Sequence, residues 1–189
     1  MAEPFFGNQL EVGRRLKRGM IALLFLASLS RSWASSETNY PAVGIRSGFS
    51  QSGKNQTFYQ SELFSTWVPA HWHLSTNWTL SPRLELTTGY LVNHGEDGFI
   101  GTLGPELVVT YQPWRTSMDT GIRATVLSRN IFEGRNFGIP FQVTSHIGIG
   151  WEFVHAWDVG YRFQHMSNSR LSSSNPGLNM HLFGVGYQF

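Results

Sequence analysis

The stretch VGYRFQHMSN at residues 159–168 alternates between apolar and polar side chains, and LNMHLFGVGYQF at residues 178–189 does the same. An alternation of period two is typical of a β-strand whose two faces meet different surroundings. Between the stretches lies SSSNPG at residues 172–177, a composition that favours a loop. The sequence therefore predicts that the chain ends in two antiparallel strands joined by this loop.

Each of these two strands has an apolar face that becomes polar beside the loop. On the first strand that face ends in His165 and Ser167, and on the second it begins with Asn179. Alternate residues of a strand share a face. If the two apolar faces coincide, these three side chains should cluster on one side of the sheet next to the loop.

The same alternation continues through most of the chain after residue 40. Stretches within 43–49, 59–67, 72–90, 99–111, 118–126 and 141–153 follow it. The stretch 72–90 is too long for one membrane crossing, so we expect it to include a turn or an extension beyond the bilayer. Counted once, it gives eight strands with the terminal pair, and an even number can close a barrel. The predicted fold is all-β, an eight-stranded antiparallel transmembrane β-barrel.

The N-terminal residues have the three-part pattern of a secretory signal peptide. A basic cluster at residues 14–18 precedes the largely apolar run 20–29, and Ser32-Trp33-Ala34 then places small residues at the first and third positions. The run is too short to span a bilayer. We predict a signal peptide at 1–34 and a barrel at 35–189; a short buried helix or a membrane anchor is the alternative.

Composition narrows the class of protein. The chain has 189 residues, no cysteine and a formal net charge of +2. It therefore has no disulfide framework and no thiolate metal site, and its small charge gives little reason to expect nucleic acid as a partner.

The polar faces decide between a soluble and a membrane barrel. A soluble barrel turns its apolar face inward, whereas a transmembrane barrel turns it toward lipid and carries aromatic belts at both interfaces. The signal peptide, the aromatic residues near strand ends and the terminal YQF favour the second. Eight strands leave room for side chains but for no channel, so the interior should hold a packed salt-bridge network. Its charges would come from Arg46, Arg83, Arg123, Arg162, Glu62, Glu85, Glu106, Asp119 and Glu152.

The connections should alternate between the two sides of the membrane. With both termini periplasmic, residues 51–57, 92–98, 128–140 and 168–177 become external loops, and segments near Pro69, Pro113 and His155 become periplasmic turns. The loop that follows Ser167 then faces the outer leaflet.

Polar side chains on a lipid-facing wall are costly unless they lie at the interface or have a function. His165 and Ser167 could form a base and nucleophile pair, with Asn179 orienting the imidazole. Spacing alone favours the plainer alternative that both lie in the headgroup zone. The remaining histidines offer no metal constellation: His71 and His73 lie near a predicted turn, and the interior holds His146.

The segments YRFQHMSN at 161–168 and NPGLN at 175–179, with the aromatic ending, resemble the lipid A 3-O-deacylase (PagL) family. The resemblance implies an outer-membrane barrel that acts as a carboxylic ester hydrolase on the 3-O-linked acyl chain of lipid A. It implies Ser167 as the nucleophile, His165 as the base and Asn175 as the oxyanion partner, with Asn168, which belongs to the motif, as a second oxyanion residue.

The chain departs from the family pattern at two places. Asn179 stands where the best-known form has a carboxylate, and Ser169-Arg170 stands where small residues are common.

The expected partners are lipid A within lipopolysaccharide and the outer membrane itself, with no cofactor and no nucleic acid, and a homodimer is left open. Arg129, Arg135 and Arg170 could pair with lipid A phosphates or remain solvated loop charges. The alternative from another class is a non-enzymatic small barrel for adhesion or envelope integrity. That alternative leaves the His165, Ser167 and Asn175 arrangement without a purpose.

Overall fold

The computed structural model describes residues 41–50 and 57–189. The predicted signal peptide and residues 51–56 of the first predicted loop lie outside the described residues. The described part forms eleven β-strands and one short 3-10 helix (Gln112–Trp114). The strands are β1 (Ala42–Phe49), β2 (Tyr59–Trp67), β3 (Trp72–His73), β4 (Trp78–Asn93), β5 (Glu96–Tyr111), β6 (Thr116–Leu127), β7 (Ile131–Phe132), β8 (Arg135–Asn136), β9 (Phe141–Val154), β10 (Trp157–Ser167) and β11 (Leu178–Gln188).

Eight of these strands form a closed barrel. Strands β1, β2, β4, β5, β6, β9, β10 and β11 each pair antiparallel with the next of the set, and β1 closes the circle by pairing with β11. This confirms the predicted eight-stranded antiparallel barrel. The long stretch 72–90 does contain a turn, because the short β3 folds back on β4 and pairs Trp72 with Leu80.

The barrel wall is apolar outside and polar inside. Along β9, Phe141, Ile147 and Trp151 are exposed, whereas the alternating Gln142 and Thr144 are buried. Such a surface is stable where hydrocarbon rather than water surrounds it. Among the described residues, no helix is long and apolar enough to cross a membrane.

The two ends of the barrel differ. At the end called here the turn end, β9 connects to β10 through His155 and Ala156 alone, and β5 connects to β6 through the 3-10 helix. Residues 68–71 connect β2 to β3 at the same end, so the predicted turns near Pro69, Pro113 and His155 are confirmed. Aromatic rings form a belt there, with centroids 4.7 Å apart for Trp78–Tyr111, 5.0 Å for Trp157–Tyr187 and 5.2 Å for Tyr187–Phe189.

At the opposite end of the barrel, called here the loop end, one connection between strands is shorter than the sequence indicated. The predicted loop 92–98 is wrong, because β4 runs to Asn93 and β5 begins at Glu96. Only His94 and Gly95 turn the chain, with φ of +48° and +80°, and two successive positive φ values are typical of a tight two-residue hairpin. The predicted loop 128–140 contains the small β7–β8 hairpin.

The interior holds the predicted salt-bridge network. The carboxylate of Glu85 is fully buried and accepts hydrogen bonds from Arg46, Arg123 and Arg162, on β1, β6 and β10. One side chain of β4 therefore ties three other strands across the barrel.

A second carboxylate extends this network toward the turn end. Glu106 accepts hydrogen bonds from Arg83 and from Arg162, the latter at 3.0 Å, and Arg162 also donates to Asp119 at 2.8 Å. His146 Nε2 lies 3.0 Å from Glu106 Oε2. Glu62 also belongs to the network and is buried 3.1 Å from Arg46. Glu152 is different: it is partly exposed and lies 3.8 Å from Arg115 near the turn end.

The loop end of the interior is apolar, which the sequence analysis did not predict. Phe58, Phe132 and Phe137 pack edge to face with centroids 5.3 to 6.1 Å apart. We call the buried apolar cluster around these rings the plug; it consists of Phe58, Leu91, Ile100, Leu127, Phe132, Phe137, Met166, Leu178, Met180 and Leu182. Its members Met166 and Leu178 belong to the strands that carry the predicted site.

Replacing Glu85 by glutamine should destabilise the barrel strongly. Removing one partner of a buried ion pair leaves uncompensated charge and costs roughly 3–5 kcal/mol, and Glu85 has three arginine partners. Urea unfolding of the barrel refolded in lipid vesicles measures the loss. Glu96→Gln is the matched control, because Glu96 pairs with Arg129 at the surface, where a pair contributes about 0–1 kcal/mol. Equal losses for the two variants would contradict the role assigned to Glu85.

Candidate active site

The last two barrel strands bring His165 and Asn179 together on the outer wall. The two residues are directly opposite each other in the β10–β11 register, and His165 Nδ1 lies 2.7 Å from Asn179 Oδ1. A carboxamide oxygen only accepts hydrogen bonds, so Nδ1 carries the ring proton and the lone pair of Nε2 is free. The predicted coincidence of these two faces is confirmed.

Ser167 follows on the same outward face, where β10 ends. It lies two residues from His165, which corresponds to about 6.6 Å along a strand, and it is half-buried beside Val143 of β9. His165 and Asn179 are exposed. A hydroxyl and an unprotonated imidazole nitrogen thus share the lipid-facing side of the wall, an arrangement suited to nucleophilic attack on an ester.

Asn168 is the buried anchor of the loop that follows. Its Nδ2 donates to Phe137 O at 2.9 Å and to Ser174 O at 2.6 Å, while its Oδ1 accepts from Arg170 N at 3.0 Å. Both amide hydrogens are therefore engaged with backbone carbonyls. The side chain of this predicted oxyanion residue is placed to hold the loop.

Asn175 lies on the other arm of the loop and is exposed. Its Oδ1 accepts a hydrogen bond from the backbone N–H of Asn168 at 3.0 Å. This bond fixes the carboxamide and leaves its NH₂ group as a donor at the surface. The structure thus joins two of the predicted residues directly and connects both to the end of β10.

The backbone between these asparagines is strained at Ser169 and Arg170, whose φ values are +53° and +67°. A left-handed conformation costs an L-residue roughly 1–2 kcal/mol. Asn168 offsets part of this cost, because its backbone carbonyl also accepts from Leu171 N at 2.9 Å. Ser169 and Arg170 stand where small residues are common in the family. Glycine would adopt the backbone conformation of these two positions without strain.

Gly177 packs against the imidazole ring. Its φ is +61°, and a Cβ at this position would lie 2.9 Å from His165 Cε1 and 3.6 Å from Nε2. Only glycine allows both this backbone conformation and this close approach. In the sequence, Gly177 is recognisable only as part of a loop.

The three loop arginines have different surroundings. Arg129 pairs with Glu96 at 2.6 Å, and Arg135 donates to Gly177 O at 2.6 Å and Pro176 O at 3.3 Å. Arg170 is exposed. Arg135, which the sequence offered only as a phosphate partner or a solvated charge, thus contacts the loop of the predicted site.

A separate cluster of potential metal ligands lies inside the barrel. Glu106, Asp119 and His146 offer atoms within 4.8 Å of one another. Arg83 and Arg162 already pair with these carboxylates, so the cluster belongs to the interior network and lies on the opposite face of the wall from His165.

Fold and site together define a transmembrane β-barrel of the outer-membrane type that carries a histidine and a serine on its lipid-facing wall. The chain belongs to the lipid A 3-O-deacylase (PagL) family, whose model matches residues 55–188. The resemblance noted in the sequence is thus confirmed, and with it the outer-membrane location that it implied.

Individual relatives agree with this membership. The chain is 36% identical over 75 residues to the lipid A deacylase PagL of Bordetella bronchiseptica, a match that covers 40% of this chain and 42% of that protein. The chain therefore aligns with less than half the length of this curated relative. A crystal structure of the outer membrane enzyme PagL is similar in fold, with a TM-score of 0.66 and 20% identity, over 77% of this chain and 98% of that one.

Gly177→Ala should slow the reaction of Ser167 with a fluorophosphonate probe by about 10- to 100-fold, the loss that a displacement of roughly 1 Å can cause. The added methyl group would displace the imidazole. Gly95→Ala is the matched control, since Gly95 also has a positive φ but has nothing within 4 Å of the added carbon. The idea fails if both folded variants react alike.

Proposed function

We propose that the protein is a lipid A 3-O-deacylase, an esterase that releases the acyl chain linked to the 3-position of lipid A. The hydrogen bond from His165 Nδ1 to Asn179 Oδ1 carries the proposal, because it leaves Nε2 free to act as a base two residues from Ser167 on the same strand. Membership of the family supplies the substrate class.

The proposed reaction is an acyl transfer in two stages. Ser167 Oγ attacks the ester carbonyl carbon while His165 Nε2 accepts the hydroxyl proton. When the tetrahedral intermediate collapses, the bond to the sugar oxygen breaks, and the imidazolium gives that oxygen its proton. Water, activated by His165, then attacks the acyl-enzyme. The products are a free fatty acid and lipid A with a 3-hydroxyl, so one water is consumed.

The oxyanion needs donors aimed at the carbonyl oxygen in the transition state. The NH₂ group of Asn175 is the side-chain donor that the loop presents, and backbone N–H groups of the same loop would complete the set. Asn168 contributes by holding Asn175 through its own N–H and the loop through its carboxamide. We therefore assign these two predicted oxyanion residues different tasks.

The position of the site determines how the substrate arrives. We place the loop end outside the cell, so that Ser167 lies at the level of the outer leaflet, where lipopolysaccharide is found. Lipid A would approach sideways within the leaflet, with its acyl chain against the apolar wall below His165, beginning with Phe163 and Phe183. All the proposed site residues come from one chain, so the proposed chemistry does not draw on a residue of a second copy.

Ser167→Ala should abolish lipid A deacylation while leaving the barrel folded. Mass spectrometry of lipid A from cells expressing each variant measures the loss of one 3-hydroxyacyl group, and a gel shift between heated and unheated samples reports folding. Ser173→Ala is the matched control, because Ser173 is an exposed serine of the same loop. Deacylation by the Ser167 variant would overturn the mechanism. Unchanged lipid A with the intact chain would favour a non-enzymatic barrel.

Asn179 should support catalysis by His165, but less effectively than a carboxylate would. A carboxamide orients the imidazole, whereas a carboxylate would also stabilise the imidazolium that forms during the reaction. Asn179→Asp should therefore raise kcat and move the acidic limb of the pH–rate profile to higher pH. Asn179→Ala should lower kcat by about 10²- to 10⁴-fold, because the ring loses its fixed tautomer. Equal rates for the two variants would show that Asn179 does not act on the ring.

A further inference from the structure

The β7–β8 hairpin is a rigid support at the loop end. Its turn includes Gly134 with φ of +73°, and both Phe132 and the adjoining Phe137 are almost fully buried in the plug. Glu133 N donates to Glu96 Oε2 at 2.6 Å, which ties the hairpin tip to β5. The hairpin therefore holds its position by burial and by hydrogen bonds to the wall.

Four hydrogen bonds fasten the loop 168–177 to this hairpin and the adjoining Phe137. Arg135 donates to Gly177 O and Pro176 O, Ser174 Oγ donates to Asn136 O at 2.7 Å, and Asn168 donates to Phe137 O. The loop that carries the proposed oxyanion donor is thus shaped by a segment about forty residues earlier in the chain.

Among the contacts between the hairpin and the loop, the one made by Arg135 lies closest to His165. Its guanidinium binds the carbonyl of Gly177, the residue whose Cα side faces Cε1 and Nε2 of His165. A displaced Gly177 would change the space available to the ring edge that must face Ser167. Both hydrogen bonds are donated by Nη2, whose two hydrogens lie in the plane of the guanidinium and so point in fixed directions. A lysine ammonium is a compact charge on a flexible stem and does not impose that geometry.

The guanidinium is itself fixed in place. Its Cζ lies 5.8 Å from the ring centroids of both Phe58 and Phe137, within the range of a cation–π contact. Burial lowers the pKa of Arg135 below its ordinary value, yet an arginine keeps its proton at neutral pH. The charge stays between the plug and the loop.

We propose that Arg135 is a positioning residue for the catalytic histidine, acting through the Pro176–Gly177 peptide. This inference rests on the proposed function. It assigns to Arg135 a task different from the phosphate binding that the sequence left open, because the guanidinium is already committed to two backbone carbonyls.

The test compares Arg135→Ala, Arg135→Lys and Arg129→Ala in the full-length barrel. Arg129 is the matched control: it belongs to the same external segment and lies 6.0 Å from the Phe132 ring, but it pairs with Glu96 instead of the loop. We expect Arg135→Ala to lower kcat by about 10- to 100-fold with little change in KM, because misplacement of a reacting group affects the chemical step. Arg135→Lys should be intermediate, and added guanidinium ion should partly restore Arg135→Ala.

A purely structural role would lower the midpoint of urea unfolding and would not respond to guanidinium. A kcat for Arg135→Ala within about twofold of that for Arg129→Ala would overturn the proposal, since a misplaced base should cost more than that. If Arg135→Ala does not fold, Arg135→Lys decides, and wild-type kcat in that variant would overturn the proposal.

A second readout does not depend on turnover. NMR of ¹⁵N-histidine-labelled protein, with the signal assigned through His165→Ala, should show a single Nδ1–H tautomer for His165 in the intact chain and a mixture in Arg135→Ala. Unchanged His165 signals would overturn the positioning role. An intact chain with no deacylase activity would instead refute the proposed function, and the NMR comparison would still decide the role of Arg135.

Discussion

The carboxylate of Glu85 is the interaction on which the rest of the structure depends. Three arginines from three other strands converge on it in the middle of the barrel. Such a group is stable only where every charge is paired, because the barrel wall is apolar outside and the interior is removed from water. The network therefore fixes which residues face inward, and with them the register of the strands. A shift of one residue would turn every side chain to the opposite face.

That register is also what creates the site. On β10, Arg162 faces the interior network while His165 faces lipid, three positions further along the same strand. Near the loop the inward positions Met166 and Leu178 enter the plug, and the alternating outward positions are His165, Ser167 and Asn179. The chemistry thus lies on a wall supported from behind by close packing. The proposed reaction needs no pocket at this wall, because a lipid substrate would reach it within the plane of the membrane.

The strained loop 168–177 depends on the β7–β8 hairpin for its conformation. Ser169 and Arg170 hold left-handed backbone conformations that the loop would not keep by itself. Asn168 compensates with hydrogen bonds in three directions, and Arg135 closes the contact from the hairpin. The candidate site is therefore shared between a regular strand pair, which aligns His165, and an irregular loop, which depends on a distant segment for its shape.

The sequence by itself determined the barrel, the inward charges and the pairing of His165 with Asn179. All of these follow from a period of two, which assigns each residue to a face wherever a strand is long enough. The length of the loop predicted at 92–98 was too great. Composition does not reveal that two residues with positive φ can turn a hairpin there. The plug, the approach of Gly177 to the imidazole and the hold of Arg135 on the loop were decided only by the tertiary structure. The plug joins side chains from distant strands, and Gly177 approaches the ring because of the shape of its loop. Arg135 binds backbone carbonyls, which every residue carries, so none of these contacts leaves a mark in the sequence.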